Sequence, residues 1–140
     1  MSRDRITKLC ALFLVEHPEM AAYADMELAQ KQCIQASSLF VQFLRQHGGT
    51  SMNTRYAHLF GTPVFCPEYS SSENKQAQHT IVYTDDFFVD WTLRQYIEDA
   101  DFPTIYDTIG PLLEHWHEVT LTTDLEWKFG ASGESETRSA

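Results

Sequence analysis

A thiol, an imidazole and a carboxylate stand in three short stretches of this chain, each in a local pattern that could do chemistry. They are Gln32-Cys33-Ile34-Gln35-Ala36-Ser37, His79-Thr80-Ile81-Val82-Tyr83 and Phe88-Val89-Asp90-Trp91-Thr92. A thiolate paired with a base, the base being oriented by a third group, is the machinery of covalent acyl transfer. Whether these three can act together depends on the elements that carry them.

Apolar or small residues recur at Cys33, Ala36, Ser37, Phe40, Val41 and Leu44, the stripe of an amphipathic helix. Gly48-Gly49 ends it, with His47 in the last turn, where positive charge is favourable. Cys33 therefore falls in the first turn. Unpaired backbone N–H groups and the helix dipole stabilise an anion there, lower a thiol pKa and can hold an acyl oxyanion. The plainer alternative is that Cys33 is the first core residue of the helix, since free cysteine is commonly buried.

Gln78–Tyr83 and Phe87–Trp91 are β-branched and aromatic runs separated by polar Thr84-Asp85-Asp86, which predicts a β-hairpin. A two-residue loop at Thr84-Asp85 sets His79 directly opposite Asp90. A loop at Asp85-Asp86 keeps the two on one face as a diagonal pair. A three-residue loop puts them on opposite faces and separates them. The competing interpretation is a structural His–Asp contact, or two unrelated strand ends.

The order of these pieces resembles a bacterial and phage papain-like cysteine-hydrolase family that also contains polymorphic-toxin and effector domains. A Cys opens a helix with a Ser four residues on. A strand then begins at His79, and a second ends in Asp90-Trp91-Thr92-Leu93-Arg94-Gln95, continuing through Tyr96 to Asp99-Ala100-Asp101-Phe102-Pro103. Glu114 and Trp116 fit the family's usual ending, so the similarity runs from Cys33 to Trp116. It implies an α+β, papain-like or transglutaminase-like fold, with N-terminal helices and the nucleophile helix packed on a small antiparallel sheet. It also implies Cys33 as nucleophile, His79 as base and Asp90 as orienter. The family commonly has Gly shortly before the nucleophile, where this chain has Gln30-Lys31-Gln32. Gln30 or Gln32 is the candidate for the oxyanion-holding glutamine that such enzymes often carry. Arg94 and Gln95 match the family, and a structural role is expected for them. Trp91 is either a shield for the His–Asp pair or plain core.

At 140 residues the chain is one domain, and 43% hydrophobic content makes it globular. We expect a single papain-like domain over residues 1–129 and a flexible Ser/Glu/Gly tail over 130–140. No apolar run approaches membrane-spanning length, and the Leu9–Val15 stretch lacks a signal-peptide cleavage site. Cys10, Cys33 and Cys66 are an odd count without framework spacing, so reduced thiols and a cytoplasmic setting, in its own or a host or target cell, are expected. Cys10 reads as core; Cys66 is a rival nucleophile without a helix start. His115-Trp116-His117 lacks zinc-ligand spacing, and no phosphate loop is present, so no metal and no cofactor is expected.

Twenty acidic against ten basic side chains give a formal charge of −10. That disfavours direct nucleic-acid binding and favours basic partners, although ordinary solubility also accounts for it. Helices are predicted over about Asp4–Glu16 and Glu19–Gln30, then from Cys33 to His47, with Met52–Gly61 ambiguous and Thr62–Ala77 loop-like at the border of the cleft. A short helix at Leu112–His117 and a strand within Val119–Trp127 follow. The functional expectation is a cysteine-dependent acyl-transfer enzyme (protease, deamidase or transglutaminase-like) acting on a protein or peptide. The alternative is a non-catalytic acidic interaction protein, such as a phage-type inhibitor of a host defence complex, with Glu98, Asp99 and Asp101 on its binding surface.

Overall fold

The structure is a computed structural model and describes residues 1–48, 53–61, 77–125 and 135–139. Among the described residues, four α-helices, α1 (Arg3–Glu16), α2 (Met26–Ala29), α3 (Cys33–Gly48) and α4 (Gly110–His115), accompany six strands. The strands are β1 (Thr54–Gly61), β2 (Ala77–Thr84), β3 (Phe87–Asp90), β4 (Thr104–Tyr106), β5 (Glu118–Thr122) and β6 (Ser135–Ser139). They form one antiparallel sheet in the order β4-β3-β2-β1-β5-β6. The class is α+β, as the sequence predicts.

One sheet face carries α1 and α3. Phe13 of α1 and Phe40 of α3 meet ring to ring at 4.9 Å, and Trp91 closes on both at 5.2 and 5.3 Å. Tyr56, Val82 and Val89 supply the sheet side of this cluster. Each such aromatic, fully buried, contributes about 2–3 kcal/mol of transfer free energy, so this cluster is the main force seating α3. The opposite face buries Ala57, Leu59, Ile81, Phe88 and Val119 beneath Leu112 and Trp116.

Two expectations differ from the structure. The single helix over Glu19–Gln30 is instead a 3-10 helix, Pro18–Ala24, followed by the one-turn α2. Asp25 takes an extended conformation between them, and its carboxylate accepts the N–H groups of Glu27 and Leu28. A side chain that caps so well starts a new helix rather than continuing an old one. The tail is not wholly unstructured, since Ser135–Ser139 pairs with β5 along its length. Ser-Glu-Thr-Arg-Ser carries no apolar alternation, so only the backbone ladder and contacts such as Thr120–Thr137 (2.9 Å between hydroxyls) mark it as a strand. The ambiguous stretch before Gly61 resolves as β1. The expectations for Cys66 and for a loop over 62–76 lie outside the described residues. Among those described, no helix is long and apolar enough to cross a membrane.

At the end of β1, Gly61 has φ 145°, and a Cβ placed there meets the backbone nitrogen of His117 at 2.7 Å. The close approach lets His117 N–H donate to the Phe60 carbonyl at 2.9 Å, which seats the start of β5 beside β1. Gly61→Ala is therefore expected to lower stability by about 2–3 kcal/mol, measured as a reduced urea midpoint with an unchanged slope.

Candidate active site

The turn of the hairpin decides the register. Asp85 and Asp86 both take positive φ, 45° and 75°, the left-handed pair of a two-residue hairpin loop, which aspartate tolerates better than most residues. Thr84 then pairs with Phe87 and Val82 with Val89. One step further sets Ile81 opposite Asp90, so His79 and Asp90 are diagonal neighbours on one face. This is the second of the registers predicted from the sequence. The two side chains meet with His79 Nε2 2.7 Å from Asp90 Oδ2, at 1% and 2% exposure respectively.

Past Ile81, β3 no longer accompanies β2, and α3 takes its place. The Thr80 carbonyl accepts the Ser37 hydroxyl at 2.9 Å, and the Thr80 N–H donates to the Cys33 sulfur. Cys33, half-buried at the first position of α3, also hydrogen-bonds His79. Because Nε2 faces Asp90, Nδ1 is the nitrogen left to serve the sulfur. All three residues singled out from the sequence thus converge: thiol to imidazole, imidazole to carboxylate.

Electrostatics follow from this geometry. Burial alone pushes the Cys33 thiol up, but the His79 hydrogen bond and charge and the Thr80 N–H outweigh it, and the thiol lies below its ordinary value; Asp90 opposes weakly. Burial likewise disfavours a charged His79, yet the Asp90 charge and hydrogen bond, aided by Cys33, raise it to about 10. A depressed thiol beside a raised imidazole is the direction of shift that activates a cysteine. The first turn of α3 contains no acidic side chain to compete with the thiolate, and its first helical bond runs from Ala36 N–H to the Gln32 carbonyl. By contrast, burial pushes Cys10 up to about 12, which makes it the inert core residue the sequence predicts.

The run from Asp90 to Gln95 is accounted for almost residue by residue. The second carboxylate oxygen of Asp90 accepts the Thr92 N–H at 2.9 Å, which fixes that carboxylate. Leu93 is buried, and Arg94 donates to the carbonyls of Ala100 and Ala24, tying the short 3-10 helix Leu93–Gln95 to the segment that leads through α2 to Cys33. Gln95 Nε2 lies 3.3 Å from His79 Nδ1 and 3.3 Å from Thr92 Oγ1, so Gln95 touches the site where the sequence offered only a structural role. Trp91 is core, within the Phe13 and Phe40 cluster. The His79 shield is Trp116, stacked at 5.9 Å with planes 14° apart, together with the edge of Tyr96 at 5.5 Å.

Within Gln30-Lys31-Gln32, Lys31 takes φ 63°, the left-handed conformation that glycine adopts without steric cost. The chain bends into α3 here with a lysine. Thr80 is the residue that sequence reading missed: its role is carried by its backbone, which no side-chain pattern reveals. No group of His, Cys, Asp and Glu among the described residues is arranged to hold a metal ion.

Alkylation of Cys33 by iodoacetamide should titrate below the ordinary thiol value of about 8.5, and His79→Ala should move that titration upward; rate–pH profiles read both. A second expectation concerns stability in a Cys33→Ser background. The folded state holds the His79 proton more tightly than the unfolded chain does. Its contribution is complete below about pH 6.5 and is lost as pH rises through the folded-state value, which the Asp90 charge and hydrogen bond still hold up in this background. The urea midpoint should fall across that window, and adding Asp90→Asn should flatten the fall. No family model, no curated protein and no solved structure matches the chain, so the interpretation of this site rests on its own geometry.

Proposed function

We propose that the chain is a papain-like, cysteine-dependent acyl-transfer enzyme acting on an amide or ester of a protein or peptide. The observation that carries this is the continuous contact from the Cys33 sulfur through His79 to Asp90, at the start of a helix sixteen residues long. The Cys33 thiolate attacks the carbonyl carbon and forms a C–S bond as the carbonyl π pair moves to oxygen. The unpaired backbone N–H groups that any helix start carries receive that oxyanion in this proposal. Collapse breaks the bond to the leaving amine or alcohol, which takes its proton from His79 Nδ1 and leaves a thioester on Cys33. His79, neutral again and held by Asp90 through Nε2, then accepts a proton from the incoming nucleophile. Its attack on the thioester carbonyl breaks the C–S bond and returns the Cys33 thiolate beside protonated His79; water completes hydrolysis or deamidation, and an amine completes transamidation.

Asp90 keeps Nε2–H occupied so that Nδ1 alone exchanges protons with the sulfur and the leaving group. Trp116 and Tyr96 cover the imidazole, which strengthens its pairing by excluding water.

The test is p-nitrophenyl acetate, whose acyl group is small enough to need no recognition. The wild-type chain should release a burst of about one equivalent of p-nitrophenolate, with an acetyl group recovered on Cys33 by mass spectrometry. Cys33→Ser and His79→Ala should each slow acylation by about 10²-fold or more. Equal rates in wild type and Cys33→Ser would overturn the proposal in favour of a non-catalytic acidic binder.

A further inference from the structure

A groove of about 220 Å³ opens beside His79 and runs over β2, β1 and β5 on the face that carries α3. Ile34 forms one wall. This residue is the next one after Cys33 and is 56% exposed. Leu125 and Phe60 extend the apolar lining, while Thr80 and His58 form a neutral floor. The His58 ring sits between the Thr80 and Thr122 hydroxyls at 3.2 and 2.8 Å, and burial holds its pKa down. Glu118, half-buried, is the one carboxylate of the described lining.

The volume is below the roughly 300–1,000 Å³ of small-molecule and cofactor sites and suits a single long side chain. Position gives the reach. From Thr80, whose N–H touches the Cys33 sulfur, Glu118 lies two strands across and two residues along. By ordinary sheet spacings this is about 12 Å between Cα atoms. A long side chain and the Glu118 side chain reaching toward it can close that span together, and the partner suited to it is apolar along its stem and positive at its tip, which describes lysine and arginine. The formal charge of −10 adds a field that attracts basic protein segments.

Resting on the acyl-transfer proposal above, we infer that this groove is a specificity subsite for a lysine or arginine side chain one or two residues from the attacked carbonyl. The stem packs between Ile34 and Leu125, and the cationic end meets Glu118. The substrate class is therefore a basic segment of a protein.

Dipeptide chloromethyl ketones of the forms acetyl-Xaa-Ala and acetyl-Ala-Xaa test this, with Xaa as lysine, its uncharged isostere norleucine, or glutamate. Each inactivation rate is divided by the same variant's iodoacetamide rate, which reads the thiol alone. At one of the two positions lysine should exceed norleucine by about tenfold or more at low salt, and the ratio should shrink as salt rises. Glu118→Gln should bring the ratio close to one, and Glu118→Lys should favour glutamate. Equal lysine and norleucine rates at both positions, or a lysine preference that survives Glu118→Gln, would overturn the subsite while leaving the acyl-transfer proposal standing. A Cys33 alkylated no faster than an ordinary thiol would remove both.

Discussion

The docking of α3 onto the two backbone groups of Thr80 is the constraint from which the site follows. A strand that loses its neighbour leaves an N–H and a C=O that must be paired elsewhere, because orphaned buried backbone groups are costly. The β2 strand loses β3 beyond Ile81, and α3 answers with the Ser37 hydroxyl for the carbonyl and the Cys33 sulfur for the N–H. Cys33 and Ser37 are one helical turn apart, so a single helix face serves both groups. The thiol is therefore positioned by the same pairing that completes the sheet. The imidazole on the neighbouring residue is within reach because His79 and Thr80 are consecutive.

The aromatic cluster supplies the force and the Thr80 pairing supplies the precision. Phe13, Phe40 and Trp91 seat α3 against the sheet through apolar burial, which is strong but non-directional. Two hydrogen bonds then fix where along β2 the helix start comes to rest. Polar order continues outward: Asp90 is held by Thr92 N–H, and Gln95 bridges Thr92 and His79. Arg94 fastens that whole turn to the Ala24 carbonyl, ahead of α2. A disturbance of the Asp90–Gln95 segment is thus felt from both sides of the thiol.

Much of this was legible in the sequence, and the failures have physical causes. The α3 stripe and the hairpin runs place Cys33, His79 and Asp90 because amphipathic periodicity and turn residues are local signals. The diagonal register was one of two compatible alternatives. Choosing between them required the backbone angles of Asp85 and Asp86, since two aspartates announce a turn without stating which pair forms it. Trp91 and Trp116 could not be ranked as shields from spacing, because which tryptophan stacks on His79 depends on the face to which each strand and helix delivers it. The residue after Asp90 points away from it along the strand, toward α3, whereas Trp116 arrives from the end of α4. The cap at Asp25 was readable in principle and lost to the helical pattern around it. The β6 strand carries too little hydrophobic contrast to be seen without its partner.

The assembly of the site across distant segments has a consequence for the life of the chain. Cys33 acquires its character from His79 and Thr80, which join it only when the sheet has formed and α3 has docked. In an extended or newly made chain the same sulfur is an ordinary cysteine, a few per cent thiolate at neutral pH, and it has no base beside it. Chemical potency is thus a property of the completed fold rather than of the polypeptide. On the proposed acyl-transfer reading, the thiol is quiet in the unfolded chain and gains its reactivity only on folding.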